Sequence, residues 1–157
     1  KAVKEMFFSN LDRMDQQRKE SPFVGNQQCL ECHEDSSIKW EGSRHASAFA
    51  TLEKVGKQFD PECLECHVVG LKAWKAPSDA VAEMIKFDGA TGYISPQITP
   101  HLANVQCENC HGPAKLHLED EEFLPPNNTA KTVCITCHQG SHSPSFVFEE
   151  YWQKIAH

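Results

Sequence analysis

The sequence predicts a mainly α-helical chain with much irregular loop, and three observations lead there. Four Cys-x-x-Cys-His motifs lie along it, beginning at Cys29, Cys63, Cys107 and Cys134. Short stretches of helical periodicity sit between and around them, broken by segments rich in Gly and Pro. The composition is polar, with a mean hydropathy of −0.52, 39% hydrophobic residues, and three Trp, two Tyr and nine Phe in 157 residues. A chain of this kind builds only a thin apolar core from its own side chains.

The motifs use all eight cysteines. Each is the spacing that attaches a c-type haem. Two intervening residues let both thiols reach neighbouring vinyl groups of one porphyrin, and the next residue turns its imidazole under the ring centre. Cys29, Cys32, Cys63, Cys66, Cys107, Cys110, Cys134 and Cys137 then become thioether attachments for four covalent haem c groups, with His33, His67, His111 and His138 as proximal iron ligands. Zinc held by paired CxxC units is the first rival. Zinc does not require a His after the second Cys; with 9 His in 157 residues, four such neighbours arise by chance about once in 10^5. A disulfide framework explains an even cysteine count but not the repeated His. A thioredoxin-like CxxC occurs once, near a βαβ pattern, which is not visible here. Haem faces then supply the missing apolar surface, so the expected fold is a compact multihaem cytochrome c with four haems forming the core.

Residues 1–20 read as a charged amphipathic helix, with Val3, Met6, Phe7, Leu11 and Met14 on one stripe, ended by Ser21-Pro22. Residues 1–22 form an N-terminal helix or linker, and 23–157 the tetrahaem domain. A helix is expected from about Ser36 to Gly56, placing Trp40, His45, Phe49 and Leu52 on one face. Residues 70–100 form a long excursion with a short helix near Asp79–Lys86 and turns at Asp88-Gly89 and Thr91-Gly92. Gly112-Pro113 stops the third motif, residues 119–130 form an acidic loop, and a closing helix runs from Phe146 to His157. Asn127-Asn128-Thr129 matches a glycosylation sequon but reads as loop. First cysteines are 34, 44 and 27 residues apart, too uneven for a repeat array.

Each iron needs a sixth ligand or leaves that position open. Five His lie outside the motifs: His45, His101, His117, His142 and His157; only three Met compete. Bis-His ligation gives low-potential, low-spin haems. His45 sits with Trp40 and Phe49 on the expected helix. His117 follows His111 by six residues, a loop short enough to cross the edge of the same haem. His157 ends the closing helix and caps a haem distant in sequence. His101 follows Pro100 and precedes the third motif. His142, in a Gly/Ser/Pro stretch, reads as a solvent-exposed loop residue.

The formal net charge is −7, and haem propionates add to it. An acidic surface disfavours nucleic acid and anionic membranes and suits basic patches on redox partners; it equally serves plain solubility. No stretch reaches the length of a membrane span. Haem attachment to CxxCH takes place outside the cytoplasm in prokaryotes, so the expected location is the periplasm, the cell exterior or the cell surface, after removal of an export signal. The chain also suits a domain of a longer protein.

Trp40-x4-His45-Ala46 after the first motif, Cys66-His-Val-Val-Gly70 in the second, and Val105-x-Cys107-Glu-x-Cys110-His-Gly-Pro113 in the third occur in an order that resembles the tetrahaem cytochrome c-554 family of electron carriers. The resemblance runs from about Phe23 to His138, and more loosely to His157. It implies a mostly helical fold with haems packed in close pairs. It implies that His45 binds the fourth haem, His117 the third and His157 the first. In the best-known member the second haem is five-coordinate. Here His101 stands near a position where that member has no ligand, so His101 is expected to close the second haem. Gly-Pro-Ala replaces the usual Gly-Pro-Gly, and residues 1–20 fall outside the match.

Electron transfer between redox proteins is the leading functional expectation, with self-association or a larger complex as further possibilities. The rival is an enzyme acting on a small nitrogen compound at an open second haem, with Lys72, Asp79, Glu83 or His101 as conceivable acid–base residues. A haem-binding domain of a larger exported protein is the third reading.

Overall fold

A computed structural model of the chain describes residues 19–71, 78–84, 92–125 and 130–157, with 5, 12–14 and 16. Most of the helix expected over 1–20, Lys72 and the sequon at 127–129 lie outside these residues. The described part is helical without strands; its one isolated bridge is antiparallel, between Val68 and Ala103.

Motif one runs through tight turns, and its His33 forms the N-cap of helix α1, Glu34–Glu41. Glu34 and Asp35 occupy the first turn of α1, where acidic side chains offset the positive helix end. The single helix expected from Ser36 to Gly56 is divided. After α1 the chain bends at Gly42 and Ser43, makes a 3-10 turn at Arg44–Ser47, and resumes as α2, Ala48–Lys54. The cause is tertiary. The Trp40 Nε1–H donates to Val105 O at 2.7 Å, Val105 N to His45 O at 3.3 Å, and Phe49 N to Asn104 Oδ1 at 2.9 Å. Bonds to a distant segment replace bonds along one helix.

The second motif lies on α3, Pro61–His67. Its start follows local rules: Asp60 accepts from Glu62 N at 3.1 Å, and Pro61 occupies the first turn. Helix α4 spans Asp79–Met84, inside the range the sequence suggested. The third motif is α5, Cys107–His111, opened by Gln106 N donating to Asn109 Oδ1 at 2.7 Å. Then come α6, Lys115–Glu119, and α7, Ala130–Cys137, which carries both cysteines of motif four. A 3-10 turn at Gly140–His142 leads to α8, Phe148–Ile155. The closing helix is shorter at both ends than its periodicity suggests, which frees Phe146 and His157 for other contacts.

Among the described residues the apolar core cluster is small: Phe23, Phe49, Val68, Val69, Tyr93 and Leu102, with Leu64, Leu71 and Ala103 packed against it. Main-chain bonds lace this knot. Val69 N donates to Leu102 O, and Tyr93 N to Val69 O, each at 2.9 Å. Gly70 has φ +84°, and a Cβ there would stand 2.5 Å from Gly92 Cα and 2.8 Å from the Phe23 ring. Only glycine lets the two backbones cross so closely.

Glu108 ties the segments around the third motif. It is 1% exposed. Its carboxylate accepts from Val24 N at 3.0 and 3.1 Å, Gly25 N at 2.8 Å and Ala114 N at 2.8 Å. Burial pushes its pKa up to about 7 against the pull of those N–H donors. The chain entering motif one and the chain leaving motif three are thereby clamped to the same side chain.

Two expectations follow. Glu108→Ala leaves three backbone N–H groups without their acceptor and should cost on the order of 3 kcal/mol, read from denaturant unfolding of the haem-loaded protein. Protein made without haem attachment should show no cooperative thermal transition, because so small a core cannot offset chain entropy; a sharp melt of that material would show that the polypeptide completes its own interior.

Candidate haem-binding site

The motif histidines leave their helices beside the cysteines that precede them, and three of the four face a second imidazole. His33 and His117 have ring centroids 6.3 Å apart, His45 and His138 6.1 Å, and His111 and His157 5.8 Å. The rings of each pair are inclined by 32°, 41° and 49°, so none is a stacked contact. A metal with imidazole nitrogens about 2 Å away on opposite sides, each ring centre about 1 Å further out, spaces the centroids about 6 Å apart. The three spacings fit that requirement, and the donor set suits haem iron.

The hydrogen bonds agree with it. His67 Nδ1 contacts Ala48 O at 2.7 Å, His117 Nδ1 contacts Phe123 O at 2.9 Å, and His157 Nδ1 contacts Ile155 O at 2.9 Å. A carbonyl only accepts, so each Nδ1 carries the proton and each Nε2 keeps a lone pair for a metal. Burial lowers the pKa of His45, with His138 nearby adding to the effect, and burial lowers that of His138. Both shifts favour the neutral imidazole that binds iron.

Two pairings differ from the expectation. The short step from His111 to His117, and the family resemblance, placed His117 on the third haem and His157 on the first. The geometry reverses them: His117 faces His33 of motif one, and His157 faces His111 of motif three. The reason lies in the docking of α6. Gly112 turns the chain with φ +92°, Ala114 N bonds to Glu108, and Lys115 N donates to Pro22 O at 3.1 Å. These bonds lay α6 against the segment entering motif one. His45 faces His138 of motif four, the pairing that the resemblance implies.

His101 is not brought to His67. It lies on the 3-10 turn Pro100–Leu102, where its carbonyl accepts from Gln106 Nε2 at 2.8 Å. Its ring edge lies against Gly25: a Cβ there would stand 3.3 Å from His101 Cδ2. Among the described residues His67 faces no other imidazole. Its motif lines a cavity of about 370 Å³ together with His45, His138, Cys134, Cys137 and His142. His142 therefore borders the interior, although its own side is exposed.

The motifs adjoin in a definite order. The Cys29 and Cys107 thiols are close enough to interact: the interaction, with burial, pushes the Cys29 pKa up, and it pulls that of Cys107 down against burial. Burial raises Cys110 to about 11, with Cys134 and Cys107 close enough to add to it. Motif one thus adjoins three, three adjoins four, and two, three and four border one cavity, with Asn109 of motif three donating to Val68 O beside motif two. No disulfide pairs the eight cysteines with one another. Among the described residues no group of three or more His, Cys, Asp or Glu converges as a site for a bare metal ion.

Sequence reasoning missed the aromatic and hydroxyl surroundings of His138. Phe146 stacks on its ring at 4.8 Å and 11°, Tyr151 meets it edge-on at 5.2 Å, and Ser143 Oγ lies 3.0 Å from its Nδ1. The Ser-Pro-Ser-Phe stretch was visible, but only the fold reveals what it surrounds.

Cytochrome c-554 of Nitrosomonas europaea is 30% identical over 111 residues, covering 61% of this chain and 40% of that protein. The matched region is therefore less than half of the relative's length. No solved structure matches the chain. Residues 28–112, which hold the first three motifs, match the family described as cytochrome c554 and c-prime, and the chain belongs to that family of c-type cytochromes with covalently bound haem c.

Proposed function

We propose that the chain is a tetrahaem electron carrier working between redox proteins outside the cytoplasm. The observation that carries this reading is the set of three imidazole pairs at 5.8–6.3 Å, each joining a motif His to a His from elsewhere. His33 with His117, His111 with His157, and His45 with His138 would hold three of the haem irons, and His67 would hold the fourth. When bound, the iron porphyrins supply one-electron redox chemistry, at low potential where both axial ligands are His. The protein's own contribution is to keep the four attachment sites close, with motif one beside three and motifs two, three and four around one cavity. A net charge of −7 favours partners that present basic patches. No described helix is long and apolar enough to cross a membrane.

A second reading rests on His67. With no imidazole facing it among the described residues, and a cavity of about 370 Å³ beside it, the second site offers a position for a small nitrogen compound. Asp79 and Glu83 lie on α4, and nothing places them in that cavity.

Electron paramagnetic resonance of the oxidised protein tests the ligand set. His117→Ala, His157→Ala and His45→Ala should each convert one haem from low spin to high spin, whereas His101→Ala should leave the spectrum unchanged. A new high-spin signal in His101→Ala would restore His101 as the ligand of the second haem. Carbon monoxide titration of the reduced protein should show one equivalent bound per chain; no uptake would remove the second reading. A polypeptide mass without four added haems would remove the first.

A further inference from the structure

Ser143 makes a contact that electron transfer through four equivalent haems does not require. Three ligand imidazoles bond through Nδ1 to backbone carbonyls: His67 to Ala48, His117 to Phe123 and His157 to Ile155. His138 instead has a side-chain hydroxyl, Ser143 Oγ, at 3.0 Å. We propose that Ser143 is a positioning residue that sets the reduction potential of the haem on the fourth motif; the proposal rests on the electron-carrier reading above.

The contact is built rather than incidental. His138 closes the helical run of motif four, its N–H donating to Cys134 O at 2.9 Å. Gly140, at φ +55°, then reverses the chain through the 3-10 turn, and Ser143 N donates to Gly140 O at 3.3 Å. Phe146 N donates to Ser143 O at 3.1 Å, which brings the Phe146 ring over His138. Phe146 stacks on the imidazole at 4.8 Å, and Tyr151 closes the box against both rings, at 5.2 Å from His138 and 4.8 Å from Phe146. The imidazole plane is thus held by aromatic packing, and its Nδ1–H is aimed at the hydroxyl.

The chemistry follows from how a second hydrogen bond acts on a ligand. When Nε2 binds iron, Nδ1 carries the proton and donates it to the acceptor. A stronger acceptor draws that proton more, makes the imidazole a better electron donor, and stabilises the ferric state. A serine hydroxyl accepts less strongly than a backbone carbonyl and must also orient its own proton. The fourth haem is therefore held at a higher potential than a carbonyl partner would give. The fourth motif adjoins the third and shares a cavity with the second, so its potential bears on whether electrons rest there or pass on. Beside His67 Nδ1 the Thr51 hydroxyl stands further off, at 3.4 Å, and the Ala48 carbonyl at 2.7 Å stays in place when Thr51 is changed; at His138 the closer Ser143 hydroxyl is the partner that a single side-chain substitution removes.

The test is a redox titration of the haem-loaded protein followed optically and by electron paramagnetic resonance, on wild type, Ser143→Ala, Ser143→Thr and His45→Ala. Ser143→Ala removes the acceptor while Phe146 and Tyr151 keep the ring in place. One of the four one-electron components should then move to higher potential and the other three should stay. Ser143→Thr, which keeps the hydroxyl, should titrate as wild type. The component that moves should be the one lost from the low-spin set in His45→Ala, whose partner is His138. Four unmoved components, a Thr variant that shifts like Ala, or a shift in a different component would overturn the role of Ser143 while leaving the electron-carrier reading intact. A wild-type protein lacking haem would overturn both.

Discussion

To hold a haem as proposed, paired imidazoles must stand about 6 Å apart across a gap wide enough for a flat macrocycle, and the rest of the fold suits that constraint. Side chains packed against one another would close such a gap. Here it is kept open by hydrogen bonds on the far side of the rings and by backbone junctions that fix where each helix starts and stops. The carbonyls of Phe123 and Ile155 hold His117 and His157 by their Nδ1 atoms, as Ser143 holds His138. The small knot around Val68, Val69 and Leu102 gives those junctions a rigid centre.

Buried polar groups do much of the work that apolar packing does in larger cores. Glu108, Asn109 and Gln106 are each 4% exposed or less and lie within or next to motif three. Gln106 binds Asn26 N and the carbonyls of His101 and Ala103, and Asn109 reaches Val68 O. Such bonds are directional, so they fix the relative angle of segments where a few apolar contacts would not. That precision suits the proposed electron carrier, which needs its cofactors at short, fixed separations. Motif three lies at the centre of the network and at the junction between motifs one and four.

Sequence and structure part company at identifiable places. The periodicity from Ser36 to Gly56 is genuinely helical, but bonds from Trp40 and Phe49 to residues 104 and 105 divide the run and set His45 on a 3-10 turn. The helix at Asp79 and the closing helix around Tyr151 were legible because their apolar spacing is local. His117 was assigned by its nearness in sequence to His111, and α6 carries it elsewhere because Lys115 N bonds to Pro22 O. His101 had no local signal to place it; its carbonyl serves Gln106 instead.

The sequence by itself determined the chemistry of attachment: the thiols and motif imidazoles are written into five-residue units whose geometry is local, and family membership follows from the same units. It also settled the helical class, since α-helical bonds are local too. Only the tertiary structure decided which distant histidine faces which motif, which motifs adjoin, and what surrounds His138. Those relations depend on where helices dock, and docking is fixed by long-range bonds to Glu108, Val105 and Pro22 that no spacing along the chain encodes.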